Sequence, residues 1–311
     1  MISIFNVTIP FFALVLCGYL AARSGKLDGQ AVGALNTFVL YFSLPAMLFR
    51  FAANSPFSSI ANPPVFATYA VAGLAVLALT VLGLRWGDKE SWRDAGYGGM
   101  CATWSNWGYM GFAIIPALLG TKAIAAMIAA GIADLLIVVS AALATAAQEG
   151  SDSKTWLHAV KQSIMGVLKN PLIWSIAAGL VVSGLQLEFV KPVDELLRLL
   201  GTSAGPVALF SIGISLYRPS RPKIQSDTWI IVVTKLVFHP LLVWMLGVYV
   251  FRVDRFEASV ILLAAALPTA GSVFLFAERN GSNVERCAAI IMLTTVGAFV
   301  SVSAWAWLVQ H

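Results

Sequence analysis

The sequence predicts an all-α integral membrane protein of ten transmembrane helices, arranged as two inverted five-helix repeats. The prediction rests on the composition, on the number of long apolar runs and on one polar segment near the middle of the chain. Of the 311 residues, 59% are hydrophobic and 11% are charged, whereas a soluble domain has about 25% charged residues. Water is therefore not the main solvent of this chain.

Ten apolar stretches are long enough to be transmembrane helices, since a helix needs about 20 residues to cross the hydrocarbon core. They cover residues 4–22, 31–51, 65–84, 95–119, 123–147, 171–187, 193–216, 228–251, 256–277 and 287–309. No Lys or Arg precedes the first stretch and no small-residue cleavage pattern follows it. We therefore expect a retained first span and not a secretory signal.

The polar segment divides the chain into residues 1–147, a linker over 148–169 and residues 170–311. Because each half has an odd number of spans, the second half enters the membrane in the opposite sense, and halves of one fold would form an inverted repeat. Two proline pairs support a repeat: Pro45 with Pro206, and Pro116 with Pro268. The alternative is that prolines are simply frequent in membrane helices.

The distribution of Lys and Arg predicts the orientation, because cytoplasmic loops carry an excess of both. Thirteen lie on the side of the linker, namely Arg23, Lys26, Arg85, Lys89, Arg93, Lys154, Lys161, Lys169, Arg218, Arg221, Lys223, Arg279 and Arg286. Six lie on the opposite side, namely Arg50, Lys122, Lys191, Arg198, Arg252 and Arg255. This places the linker in the cytoplasm and both termini outside, and it explains the net charge of +5 without a nucleic-acid partner.

Two spans contain residues that interrupt helices. The fourth holds Ser, Thr and Asn side chains with two glycines and Pro116, and the ninth holds the run 268–272, Pro-Thr-Ala-Gly-Ser. Proline removes a backbone donor and glycine weakens a helix, so unwound backbone here must be buried in protein or line a wet cavity. Interrupted helices in corresponding positions of two repeats mark the binding site of secondary transporters.

Broken helices expose N–H groups that suit a carboxylate and C=O groups that suit a cation. The candidate substrate-binding residues are Asn106, Tyr109, Pro116, Pro268, Thr269 and Ser272. Tyr109 flanks Asn106 together with two tryptophans, and these rings would either form a wall for the apolar body of a substrate or pack between helices. The plainer alternative for both spans is a pair of proline-kinked helices that pack through small residues.

Three ionisable residues lie within predicted spans: Asp134, Lys235 and His239. Such residues are costly in lipid and are functional candidates for that reason. Asp134 and Lys235 would pair with each other, neutralise the dipoles of half-helices, or couple transport to H⁺ or Na⁺. His239 precedes a proline, and we expect it to be packed and hydrogen-bonded.

Several motifs of other protein classes are absent from the sequence. It has no GxxxxGK[ST] phosphate loop, no HExxH motif and no second aspartate near Asp134, so we expect neither an enzyme nor a cofactor or metal site. The three cysteines lie in apolar stretches and suggest no disulfide framework. The spans contain neither a TVGYG-like filter nor a set of charged residues that could form a ring, so the sequence does not indicate a channel.

Short motifs in order along the chain carry a family resemblance. They are residues 18–20, residues 42–49 (FSLPAMLF), residues 106–116 (NWGYMGFAIIP), residues 206–213 (PVALFSIG), residues 235–240 (KLVFHP) and residues 266–270 (ALPTA). Together they resemble the auxin efflux carrier family, which includes plant PIN-type exporters and bacterial malonate or organic-acid permeases.

The resemblance implies a fold related to the bile-acid sodium symporters, also called NhaA-like, in which helices four and nine cross at their prolines. Here these are Pro116 and Pro268, with Asn106 nearest the substrate. It also implies a scaffold of helices one, two, six and seven, a homodimer through helices two and seven, and elevator-like movement in a bacterial inner membrane. The large cytoplasmic loop of the plant exporters has only the short linker in its place.

The expected function is secondary transport of a small organic anion, a carboxylate such as malonate or an auxin-like acid. A sodium-coupled organic-anion symporter is the alternative, and a channel is a more distant one. The residues leave the substrate, the direction of transport and the coupling ion open.

Overall fold

The computed structural model describes residues 2–54, 62–87, 89–149, 171–187, 190–217 and 226–310, together with residues 165 and 224. Within these residues the protein is all-helical, and extended pairing is confined to one isolated antiparallel bridge between Ser105 and Thr269. Residues 150–164 and 166–169, most of the predicted linker, lie outside the described residues.

Fifteen α-helices follow one another in the described part of the chain. They are α1 (Ile2–Arg23), α2 (Gly29–Phe38), α3 (Leu44–Ala53), α4 (Pro63–Trp86), α5 (Trp92–Thr103), α6 (Phe112–Leu119), α7 (Ala123–Ala133), α8 (Ser140–Ala146), α9 (Pro171–Gly184), α10 (Lys191–Leu216), α11 (Ser226–Val233), α12 (His239–Met245), α13 (Arg255–Ala266), α14 (Ser272–Arg279) and α15 (Val284–Gln310). Helical residues lie at each predicted stretch, and the fourth and ninth stretches are each divided into two helices.

Six helical stretches are long and apolar enough to cross a membrane, by length and composition. They are Gln30–Ala53, Pro63–Trp86, Ala123–Ala146, Lys191–Leu216, Asp227–Val250 and Val284–Val309, and three shorter apolar helices are Thr8–Arg23, Trp107–Leu119 and Pro171–Gly184. The protein is therefore an all-α, multi-pass membrane protein. The count of ten spans stays a prediction.

Five π-helical turns interrupt or adjoin these helices, at Val39–Ser43, Trp107–Gly111, Asp134–Val139, Thr234–Phe238 and Leu246–Val250. A π turn widens a helix by one residue and often occurs at functional sites. Three of the five contain a residue that the sequence singles out, namely Tyr109, Asp134 and Lys235. These turns were not predicted from the sequence.

The contacts divide the chain into two compact units, and the first comprises Met1–Asn62, Gly108–Ala125 and Leu168–Pro219. In this unit α1 and α10 approach each other closely through Gly18 and Gly213. A Cβ atom on Gly213 would overlap the backbone oxygen of Val15, and one on Gly18 would overlap that of Phe210. Small residues of this kind allow two membrane helices to pack backbone to backbone.

The second unit comprises Pro63–Trp107, Ala126–Val167 and Ser220–His311. Each unit therefore draws on both halves of the sequence. The helices of the first unit include those that the family resemblance assigns to a scaffold. The predicted division into repeats over 1–147 and 170–311 concerns symmetry and not contacts, and it stays a prediction.

A buried polar cluster joins the starts of several helices in the second unit. The guanidinium of Arg286 donates to Asp227 Oδ2 at 2.8 Å and to the backbone oxygen of Asp94 at 2.6 Å, and it lies 3.2 Å from Glu90 Oε1. The carboxylate of Asp94 accepts from Ser282 Oγ at 2.7 Å. Arg286 was predicted to be one of the loop charges on the cytoplasmic side, whereas its side chain is only 1% exposed.

Candidate functional site

The two interrupted helices of the second unit pair at their breaks. Asn106 N–H donates to the carbonyl of Pro268, and Ala270 N–H donates to the carbonyl of Trp104, both at 2.9 Å. These two bonds flank the bridge between Ser105 and Thr269. Some of the backbone N–H and C=O groups that have no partner within their own interrupted helix are thus hydrogen-bonded to the other interrupted helix.

The sequence explains the break after α13 more directly than the break after α5. Leu267 is extended, with φ −62° and ψ 153°, which is the conformation that a following proline favours. The fourth span instead breaks at residues 104–106, whereas Pro116 lies inside α6. The interruption therefore does not fall at Pro116, as the resemblance implied, and Pro116 takes no part in the pairing with residues 268–270.

The carbonyl ends of both broken helices meet one side chain, the fully buried Lys235. Its Nζ atom donates to the backbone oxygen of Thr103 at 3.2 Å and to that of Ala265 at 2.8 Å. These oxygens belong to the last turns of α5 and α13. The amine therefore lies where the negative ends of two helix dipoles converge.

Ser105 connects Lys235 to the buried hydroxyl of Tyr69. Its hydroxyl accepts from Lys235 Nζ at 2.6 Å and lies 3.1 Å from the hydroxyl of Tyr69. The side chain of Asp134 is fully buried, and neither of its carboxylate oxygens has a hydrogen-bond partner within the described residues. Within the described residues no ion pair or hydrogen bond joins Asp134 to Lys235.

His239 lies one helical turn after Lys235 and is fully buried. Its Nδ1 atom is 3.3 Å from Lys235 Nζ, and its ring contacts the ring of Tyr69 edge to face with centroids 5.7 Å apart. The side chain is packed among the polar groups around Ser105.

The candidate binding residues with polar side chains near the paired helix breaks differ in whether those side chains already have hydrogen-bond partners. The hydroxyl of Thr269 donates to the carbonyl of Cys101 at 2.7 Å, and its N–H donates to Thr294 Oγ1 at 3.2 Å. By contrast, the side chains of Asn106 and Ser272 make no hydrogen bond within the described part of the chain. Thr269 is therefore a structural residue of the pairing, and its hydroxyl proton is already committed.

Two backbone donors join these free side chains. The N–H groups of Gly271 and Ser272 have no acceptor among the residues that the structure describes. They precede or begin α14, where the positive end of the helix dipole favours negative charge. We call these two N–H groups, the Asn106 amide and the Ser272 hydroxyl the donor set.

Open space adjoins the donor set. A Cβ atom built on Gly271 would meet no atom within 4 Å, and Gly271 itself is exposed. Asn106 is 6% exposed and Ser272 is partly exposed. The backbone of the pairing is thus buried while one side of it remains accessible.

The remaining predicted residues, Tyr109 and Pro116, belong to the first unit. Tyr109 lies in the π turn Trp107–Gly111 and is partly buried. The structure brings Asn106, Pro268 and Thr269 together within the second unit, and it does not place Tyr109 or Pro116 there. Sequence reasoning missed Ser105 and the carbonyls of Thr103 and Ala265, because their partner is distant in the chain.

Comparison with known proteins identifies the class to which this architecture belongs. A family described as membrane transport protein matches residues 3–306. The chain belongs to this family, which is the auxin efflux carrier family that its motifs resemble. The name of the family and those of the three relatives described next are names of membrane transporters and not of enzymes.

Three relatives are similar over nearly the whole chain. A protein of Rhizobium meliloti (strain 1021) named "Putative malonate transporter" is 29% identical over 320 residues, covering 100% of this chain and 97% of the relative. "Uncharacterized transporter YfdV" of Escherichia coli (strain K12) is 22% identical over 314 residues, covering 96% and 95%. An "Uncharacterized transporter" of Methanothermobacter thermautotrophicus is 22% identical over 304 residues, covering 96% of each chain.

Proposed function

We propose that this protein is a secondary transporter of a small organic anion, a carboxylate such as malonate or an auxin-like acid. The observation that carries the proposal is the donor set beside the paired helix breaks, where side-chain and backbone N–H groups lack acceptors within the described residues. A carboxylate offers several acceptor lone pairs and a negative charge, and both suit the start of α14. The relative named for malonate supports a short carboxylate.

In this proposal the Asn106 amide and the Ser272 hydroxyl donate to the substrate. Pro268 and Thr269 hold the backbone of the pairing, and Asp134 and Lys235 compensate the charges at the helix ends. Tyr109 and Pro116 stay sequence predictions as substrate-binding residues.

The architecture that we propose has ten spans in two inverted repeats, over residues 1–147 and 170–311, with a cytoplasmic linker over 148–169. Both termini would then lie outside the cytoplasm of a bacterial inner membrane. The protein would work by elevator-type alternating access and form a homodimer through helices two and seven. The family membership supports these features, and labelling of single introduced cysteines from either side of the membrane would test the orientation.

Uptake of labelled malonate and indole-acetate into proteoliposomes tests the function. We expect saturable uptake by the wild type, and for Asn106→Ala a KM higher by about ten- to hundredfold, since one hydrogen bond to a charged group contributes about 1.5–3 kcal/mol. The matched control is Asn54→Ala, because within the described residues the exposed Asn54 amide donates only to the backbone oxygen of Arg50, in its own helix turn.

Equal KM values for Asn106→Ala and the wild type would remove Asn106 from the site. Large currents that do not saturate with substrate would contradict a carrier and indicate a channel.

A further inference from the structure

We infer that Lys235 is a tethered cation that fills a cation site formed by the converging ends of α5 and α13, so that this site takes no sodium ion. The inference deepens the proposed function, since it concerns the ion coupling of the same transporter.

Three oxygen atoms define the site, which we call the acceptor cluster. They are the backbone oxygens of Thr103 and Ala265 and the hydroxyl oxygen of Ser105, at 3.2, 2.8 and 2.6 Å from Lys235 Nζ. Half-helix carbonyl ends of this kind coordinate sodium in transporters with broken helices. The acceptor cluster therefore has the chemistry of a monovalent-cation site.

The surroundings of Nζ contain acceptors and no competing donor. The fourth neighbour is Nδ1 of His239 at 3.3 Å, which accepts in the tautomer that carries its proton on Nε2. An ammonium group has three N–H donors and no acceptor, so it matches this environment. A neutral amine has only two N–H donors, so one of the three oxygens of the acceptor cluster would receive no hydrogen bond from it.

Charge balance leads to the same conclusion. Each helix end carries about half a negative charge, and two ends converge on the single positive charge of Lys235. The carboxylate of Asp134 makes no hydrogen bond within the described residues, so it is not part of the acceptor cluster. A sodium ion added to this cluster would meet the buried ammonium at close range and be repelled by it.

The backbone around Lys235 aims the side chain at the cluster. Lys235 lies in the π turn Thr234–Phe238, and its neighbour His239 begins α12. Tyr69 contacts both the ring of His239 and the hydroxyl of Ser105. Groups from three helical segments thereby hold the amine in place.

The first experiment uses the wild type. Uptake of labelled malonate is measured in NaCl, KCl and choline chloride at equal ionic strength, and thermal unfolding in detergent is measured in the same salts without substrate. We expect the uptake rates in the three salts to agree within about twofold, and the unfolding temperatures in the three salts to agree within experimental error. A saturable increase in either one with sodium, relative to potassium and choline, would overturn the inference.

In the second experiment Lys235→Ala removes the amine from the acceptor cluster. The control is Lys122→Ala, which removes an exposed lysine. We expect Lys235→Ala to lower the unfolding temperature, and ethylammonium, a small primary ammonium ion, to restore several degrees of it saturably while choline does not. The control should respond to neither ion. An equal response of both variants to ethylammonium would count against a cation-sized site.

The two experiments also separate this inference from the proposed function. The unfolding measurements need no substrate, so they decide the cation question even if malonate is not transported. If Lys235→Ala does not fold, the wild-type sodium series still decides the inference. Sodium-dependent uptake with intact transport would favour the sodium-coupled symporter considered from the sequence.

Discussion

Replacement of Arg286 with methionine is the perturbation whose effect on stability follows most directly from the structure. The guanidinium is 1% exposed and lies 2.8 Å from Asp227 Oδ2, whose side chain is 7% exposed. It also donates to the backbone oxygen of Asp94. Methionine would retain much of the apolar volume while leaving the buried carboxylate of Asp227 without its counter-ion.

Removal of one partner from a buried ion pair costs about 3–5 kcal/mol, because the remaining charge is desolvated and unpaired. In domains of 150–250 residues, 1 kcal/mol shifts the unfolding temperature by about 2–4 °C. We therefore expect Arg286→Met to lower it by roughly 6 °C or more. Arg198→Met is the matched control, since Arg198 pairs with Glu195 at 2.6 Å on an exposed surface, where solvent screens the interaction.

Thermal unfolding of both variants in the same detergent measures the difference. The double variant Arg286→Met, Asp227→Asn should recover part of the loss, because it no longer carries the unpaired carboxylate. Equal shifts for Arg286→Met and Arg198→Met, or no recovery in the double variant, would refute the reasoning that an unpaired buried charge causes the loss.

Three further predictions concern other parts of the described chain. Gly213→Ala should reduce the yield of folded protein measured by size-exclusion chromatography, because its Cβ would overlap a backbone oxygen of α1, whereas Gly33→Ala meets no atom within 4 Å and should not. Gly131→Ala should lower transport more than Gly33→Ala, since its Cβ would lie 2.8 Å from the ring of Trp107, which follows Asn106 in the chain. Burial opposes ionisation of Asp94, which precedes the fourth span, but its hydrogen bonds hold the pKa of its carboxyl below the ordinary 3.8. The stabilisation by the ionised carboxylate of Asp94 should therefore be complete above pH 3.8 and be lost as the pH falls through the lowered pKa. At neutral pH Asp94→Asn should unfold at a lower temperature than the wild type, and in acid the two unfolding temperatures should differ less.

The positions of the helices were predictable from the sequence because lipid leaves few alternatives. The third predicted stretch, 65–84, differs from the observed helix Pro63–Trp86 by two residues at each end. A continuous apolar run in lipid must satisfy its backbone internally and therefore forms a helix. The break at Pro268 was equally readable, since a proline disfavours helix in the residue before it.

The contacts of the site were less readable because they join distant parts of the chain. Lys235 and the carbonyl of Thr103 are 132 positions apart, and a carbonyl has no signature in the sequence. The break at residues 104–106 has no proline, and it depends on pairing with residues 268–270. The sequence thus predicted the correct span and Asn106 within it, whereas the crossing that the family resemblance implied at Pro116 does not coincide with the break.

The preference for an anion, which the sequence supported only through helix-end electrostatics and family resemblance, gains a separate argument from the hydrogen bonds of the second unit. At the paired breaks one carbonyl at the end of each helix, that of Thr103 and that of Ala265, accepts from Lys235. The donor set has no partner among the described residues. Free backbone N–H groups at the start of a helix bind an acceptor better than a cation. The same tethered charge that closes the acceptor cluster to sodium therefore favours a carboxylate at the donor set.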